Sequence, residues 1–185
     1  MLSIWSPAAA QETIVNVRNA GHFSCESMLS VVNAQGNEVE KTAFLQWTAA
    51  YATAAARSNG LIDIFPIGDT WELVSMVTFV CRESPQVSYE TALLTTISRL
   101  RPYWIRVSPE VLTLNDPLER TVQYYVEAVK PLQEALIRYG AIMPADGVYG
   151  NQTGNMIREM NIVRGSAAWM TPDGEFLYQL TRPSQ

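Results

Sequence analysis

The chain has 185 residues, 48% of them hydrophobic, with 13 basic against 18 acidic side chains for a net charge of −5. That length allows one medium domain or two small ones, and the apolar content supports packed cores rather than wholesale disorder. The acidic balance and the lack of a basic run give no footprint for nucleic acid or a membrane surface. No apolar run approaches the roughly 18 residues of a spanning helix, so no membrane insertion is expected.

In chain order, Leu2-Ser3-Ile4-Trp5-Ser6-Pro7-Ala8-Ala9-Ala10-Gln11 reads like the tail of a secretory signal, an apolar patch and then Ala-x-Ala before a polar residue. No positive segment precedes it, and a disordered tail is the other reading of residues 1–13. Ile14 to Val17 is a short extended segment at most. Phe23 to Val32 reads as a helix with Cys25, Met28 and Leu29 on one side, broken by Gln35-Gly36-Asn37. Glu38 to Arg57 is the longest helical stretch, with Phe44, Trp47, Tyr51 and Ala54 or Ala55 along one stripe. Ser58-Asn59-Gly60 ends it.

Leu61 to Gly68 is apolar but irregular. Asp69 or Thr70 can cap a third helix through Arg82 that buries Leu73, Met76 or Val77, and Val80 with Cys81. Ser88 caps a fourth helix, with Ala92, Leu93, Ile97 and Leu100 inward. Residues 103–119 contain Pro109 and Asn115-Asp116-Pro117 with little periodicity and read as a linker. The expected division is a helical domain over residues 14–102, that linker, and a module over residues 120–185. The expected fold class is all-α.

The last third carries the most specific pattern. Val129, Leu132 and Leu136 share one helical face, and Gly140 stops that helix where a left-handed residue is wanted. Asp146-Gly147 is a turn dipeptide, Gly150 and Asn151 open the next helix, and Ile157 and Met160 point inward from it. Leu132-Gln133, Leu136, Tyr139-Gly140, Asp146-Gly147-x-Tyr149-Gly150-x-x-Thr153 and Ile157 together resemble the three-helix peptidoglycan-binding domain of bacterial cell-wall proteins. The resemblance spans roughly Thr121 to Leu180. It departs where the family has Phe-Gln and this chain has Met160-Asn161, and the closing segment is recognisable only as Thr171-Pro172-Asp173-Gly174 before Phe176, Leu177 and Leu180.

The resemblance implies peptidoglycan as ligand. Muropeptides offer sugar faces, amides and carboxylates, so aromatic rings, hydrogen-bonding groups and arginines are wanted. Arg138, Tyr139, Asp146, Tyr149, Thr153, Arg158 and Trp169 are the candidate ligand-binding residues, with a cleft between the Asp146–Thr153 loop and the Trp169 segment as the expected seat. A packing role for Tyr139 and Tyr149 stands beside the ligand role. Asp146 and Gly147 shape the turn in either case, and Thr153 is expected to bond the backbone at the helix start.

Cys25 and Cys81 are the only cysteines. In an exported chain an even count favours a disulfide, and the signal-like end points the same way, so a Cys25–Cys81 bridge is the expectation. Two buried thiols are the reading for a cytosolic chain, and a Cys25–His22 nucleophile is the catalytic alternative. The early cysteine, the Trp47-x-x-x-Tyr51 helix, the aspartate-capped helix ending in Cys81, Pro85 and Ala92-Leu93 are similar to small disulfide-linked periplasmic helical proteins. Those include an acid-stress chaperone family and immunity proteins that block secreted toxins. One histidine cannot supply a zinc peptidase site, and Glu26, Glu72 and Glu90 on helices read as solvated faces. No Gly-rich phosphate loop is present. Neither catalysis nor a metal or cofactor is expected. The expectation is a periplasmic protein that holds peptidoglycan through its C-terminal module and docks an envelope protein through its helical half. Its alternative is an accessory, inhibitor or immunity protein of a wall hydrolase, or an acid-stress chaperone, whose module binds protein.

Overall fold

A computed structural model describes residues 18–182. The signal-like residues 1–13 and the segment Ile14 to Val17 lie outside the described residues. After a 3-10 turn at Asn19–His22, the chain forms α1 (Cys25–Asn33), α2 (Glu38–Ser58), α3 (Thr70–Glu83) and α4 (Tyr89–Arg99). It continues with β1 (Val111–Asn115), β2 (Thr121–Tyr125), α5 (Val129–Arg138), α6 (Asn151–Val163) and α7 (Gly174–Thr181).

Helices α1, α3 and α4 start where short polar side chains can accept from their free N–H groups, whereas Asn37 at the start of α2 makes no such bond. Ser24, Asp69 and Ser88 accept from the amides of Ser27, Trp71 and Thr91. Helix α3 is the centre of this half: Leu73, Val74, Met76, Val77, Val80 and Cys81 are all buried, and α1, α2 and α4 lie against it. Cys25 and Cys81 are bridged, which staples the start of α1 to the end of α3. Closing a loop of 56 residues removes roughly 4 kcal/mol of unfolded-state entropy in the chain model. A bridged Cys25 has no thiolate, so the Cys25–His22 nucleophile is overturned.

Two sequence expectations need correction. The chain is mostly helical but not all-α, because β1 and β2 pair antiparallel with Leu114 opposite Val122. The linker expected at residues 103–119 contains β1 and buries Tyr103, Ile105 and Leu114. A lone hairpin is marginal in water, and here the first half supports it. Ile67 bridges to Tyr124, the Tyr125 amide donates to the Pro66 carbonyl, and Ile105 bridges to Asp63. Asn115-Asp116-Pro117, read as a break in structure, begins the hairpin loop instead.

The segment therefore joins the two stretches rather than spacing them. One continuous apolar cluster runs from Ala20 to Leu180. Helix α7 lies on α3 so closely that a Cβ at Gly174 would overlap the Glu72 carbonyl. Glu72 accepts from the Gly174 amide at 2.8 Å and pairs with Arg120 at 2.6 Å. The same guanidinium bonds Thr171 and lies 3.7 Å from Asp173, whose carboxylate caps α7 by accepting from the Phe176 amide. A hairpin arginine thus ties the last helix to a helix of the first half.

Candidate functional site

The loop between α5 and α6 is built around Gln133, a polar side chain on the buried face of α5 with 1% exposure. Its Oε1 accepts from the Gly147 amide at 2.8 Å, which fixes which way the amide points. Nε2 then donates toward Asp146 Oδ1 at 2.9 Å, the Val148 carbonyl at 3.0 Å and Thr153 Oγ1 at 3.3 Å. Asp146 Oδ1 also accepts from the Val148 amide, closing an Asx turn in which Gly147 has φ +79°. That left-handed backbone is what glycine supplies. The Val148 amide, followed by Gln133, holds the Asp146 carboxyl below the usual aspartate range.

Thr153 is buried and bonds Gln133, so the expectation that it bonds the backbone at the helix start gives way to this contact. Gly150 stands at the N-cap of α6 without a side-chain acceptor. Tyr149 is half-buried, and its hydroxyl donates to the Met170 carbonyl. Burial, reinforced by the charge of Asp116, pushes that phenol well above its ordinary pKa. The Asp146–Thr153 loop and the segment ending in Met170 are thus tied together where a cleft was expected. Asp116 accepts from the Met170 amide, Gly154 packs against Met170, and Trp169 lies under the Arg120 guanidinium at 5.4 Å.

Gln133 brings Asp146 and Thr153 together, while Tyr149 of the same loop reaches the Met170 carbonyl, next in the chain to Trp169. Arg138 and Tyr139 lie elsewhere, at the last turn of α5 beside α7. Arg138 is exposed, and the Tyr139 hydroxyl donates to the Gln179 carbonyl at 2.8 Å while the residue as a whole keeps 47% exposure. Arg158 is exposed on α6. Two residues outside the sequence-derived set matter here. Gln133 was visible as a polar residue beside Leu132 on an apolar face. Arg164 is the other, with its guanidinium over the Tyr139 ring at 5.7 Å and the Phe176 ring at 5.6 Å.

The helical half presents a separate feature. Between the Asn19–His22 turn, α1 and α2 lies a groove of about 830 Å³ whose walls include Phe23, Val31, Ala43, Phe44 and Trp47. Phe23 is 53% exposed at its edge. No family model, curated protein or solved structure matches this chain.

Proposed function

We propose that this chain is a non-catalytic periplasmic protein that binds peptidoglycan through the α5–α6–α7 module and an envelope protein through its helical half. The observation that carries the reading is the Gln133 network. It fixes the Asp-Gly-x-Tyr-Gly-x-x-Thr loop between two helices, the setting that the resemblance to wall-binding domains implies. On this reading Asp146, Tyr149 and Thr153 hold the module's shape, and Trp169 braces it against Arg120. Arg138, Tyr139 and Arg158 are the outward residues that meet the polymer. The apolar groove beside Phe23 and Trp47 supports the partner-docking half of the proposal.

Co-sedimentation of the full-length chain with purified sacculi tests it. Full length is required because the apolar core crosses residues 103–119. Pelleting is expected, weakened in the double variant Arg138→Ala/Arg158→Ala with its melting temperature unchanged. If the folded chain stays in the supernatant across a range of salt and pH, wall binding fails. A second reading then gains ground from Ile142 and Val148, which are 92% and 65% exposed on the α5–α6 connection. They fit a protein-docking surface, as in an accessory or inhibitor of a wall hydrolase.

A further inference from the structure

Arg164 follows α6 as its C-cap, and its guanidinium lies over two aromatic rings, 5.7 Å from the Tyr139 centroid and 5.6 Å from that of Phe176. Phe176 belongs to the core, while Tyr139 opens to solvent, so the clamp has one dry side and one wet side. Nη1 is sealed from solvent and has no hydrogen-bond partner among the described residues. The ion pairs among the described residues use Lys41, Arg99, Arg120 and Arg182, and none uses Arg164. Arg120 gives the contrast: it is also partly buried, and it has both Glu72 and Asp173.

Glu175 is close enough for its charge to act on Arg164, but its carboxylate is bonded by Ser166 at 3.2 Å. Burial also draws the Arg164 pKa below the ordinary arginine value. A partly desolvated guanidinium with no carboxylate at ion-pair distance gains more from an incoming anion than a fully hydrated one does. The two rings beside it restrict the guanidinium in advance, which suits a planar bidentate acceptor.

We propose that Arg164 and the exposed face of Tyr139 form a carboxylate-binding subsite for a peptide that carries a free carboxylate. Arg138, exposed next to Tyr139 in the chain, adds positive potential to this end of the module. The source of the carboxylate rests on the wall-binding reading: it is the stem peptide of peptidoglycan. Tyr139 supplies an apolar face for the aliphatic part of such a peptide. The carboxylate meets the guanidinium edge that Nη1 does not occupy.

The test is an NMR titration of the full-length chain with N-acetyl-D-alanyl-D-alanine and, separately, with its C-terminal amide. It follows the Arg164 side-chain Nε–Hε and the Tyr139 ring signals. The free acid should shift both saturably, and the amide should not. Arg164→Gln should weaken binding about tenfold or more, Arg164→Lys should fall between, and Glu175→Gln, which removes a competing carboxylate, should tighten it. A merely structural Arg164 would alter melting temperature without separating acid from amide. Equal shifts with the amide, no shifts with either probe, or unchanged affinity in folded Arg164→Gln overturn the subsite. Sacculus pelleting reads the wall-binding proposal independently. A chain that pellets and ignores the dipeptide loses only the subsite, and one that takes the dipeptide without pelleting loses only the wall.

Discussion

Helices α1 to α4 and the stretch from β1 to α7 both bury polar side chains, but they satisfy most of them over different ranges. Thr48, Thr78 and Thr96 in the first half each donate to the carbonyl four residues earlier in their own helix, and Thr48 alone of the three also bonds a distant side chain, the Tyr89 hydroxyl at 2.7 Å. In the second half, Asp116 accepts from the Met170 amide, Arg120 pairs with Glu72, and Gln133 reaches Gly147 and Thr153. The first half is specified by local caps, apolar periodicity and one covalent bridge. The second depends on polar contacts between distant residues, each costly to leave half made.

Removing the bridge is the largest perturbation of that contrast. The double variant Cys25→Ser/Cys81→Ser should lose roughly 4 kcal/mol in denaturant unfolding. Because α7 packs on α3 and the apolar core is continuous, helical and aromatic signals should fall in one transition. Two separate transitions would restore the two-domain division read from the sequence.

Next in size is the joint between the halves. Arg120→Ala strands Glu72 and Asp173, whose side chains keep about a fifth of their exposure, 22% and 21%. The expected cost is about 2–3 kcal/mol, below the 3–5 kcal/mol of a fully buried broken pair. Converting Arg120 to Met together with Glu72→Gln should cost less than Arg120→Ala alone, since Asp173 is then the one unpaired carboxylate facing the guanidinium's former place. A double variant worse than the single one would show that shape, rather than charge, governs the joint.

The smallest effect is pH-dependent. Glu127 accepts from the amides of Arg106, Val107 and Ser108 at 2.9, 2.9 and 3.1 Å. Desolvation pushes its carboxyl up, but those three donors and the Arg106 charge bring it below the usual glutamate range. A depressed folded pKa stabilises the fold fully above the unfolded value of about 4.3, and the gain is lost as pH falls through the folded value. The melting-temperature gap between wild type and Glu127→Gln should be widest near neutral pH and shrink with acidification. A constant gap would contradict the assignment.

These ranges also explain what was legible. Asp69 and Ser88 announced their helices because a cap acts within three residues, and Leu73 to Cys81 announced a buried face through period alone. Val111 to Tyr125 escaped because Asn115-Asp116-Pro117 looks the same in a linker as in a hairpin loop. The hairpin is supported by contacts with residues 66–68 and, at its loop, with Glu72 and Met170, all far away in the chain. Tyr149 was placed on the right turn. That its hydroxyl ends on Met170 depends on a residue 21 positions away, which no local pattern encodes. Arg164 carried no signal, because Tyr139 and Phe176 lie on two other elements.

The central claim is that the Gln133-built loop is scaffold and that ligand meets the outer surface near Tyr139 and Arg164. Hydrogen–deuterium exchange of the full-length chain, with and without soluble peptidoglycan fragments, tests it most directly. The account predicts slow exchange at Gly147 in both states, with ligand adding protection at residues 138–141 and 162–166. Protection centred on residues 146–153 instead, or no change anywhere at saturating fragment, would contradict it.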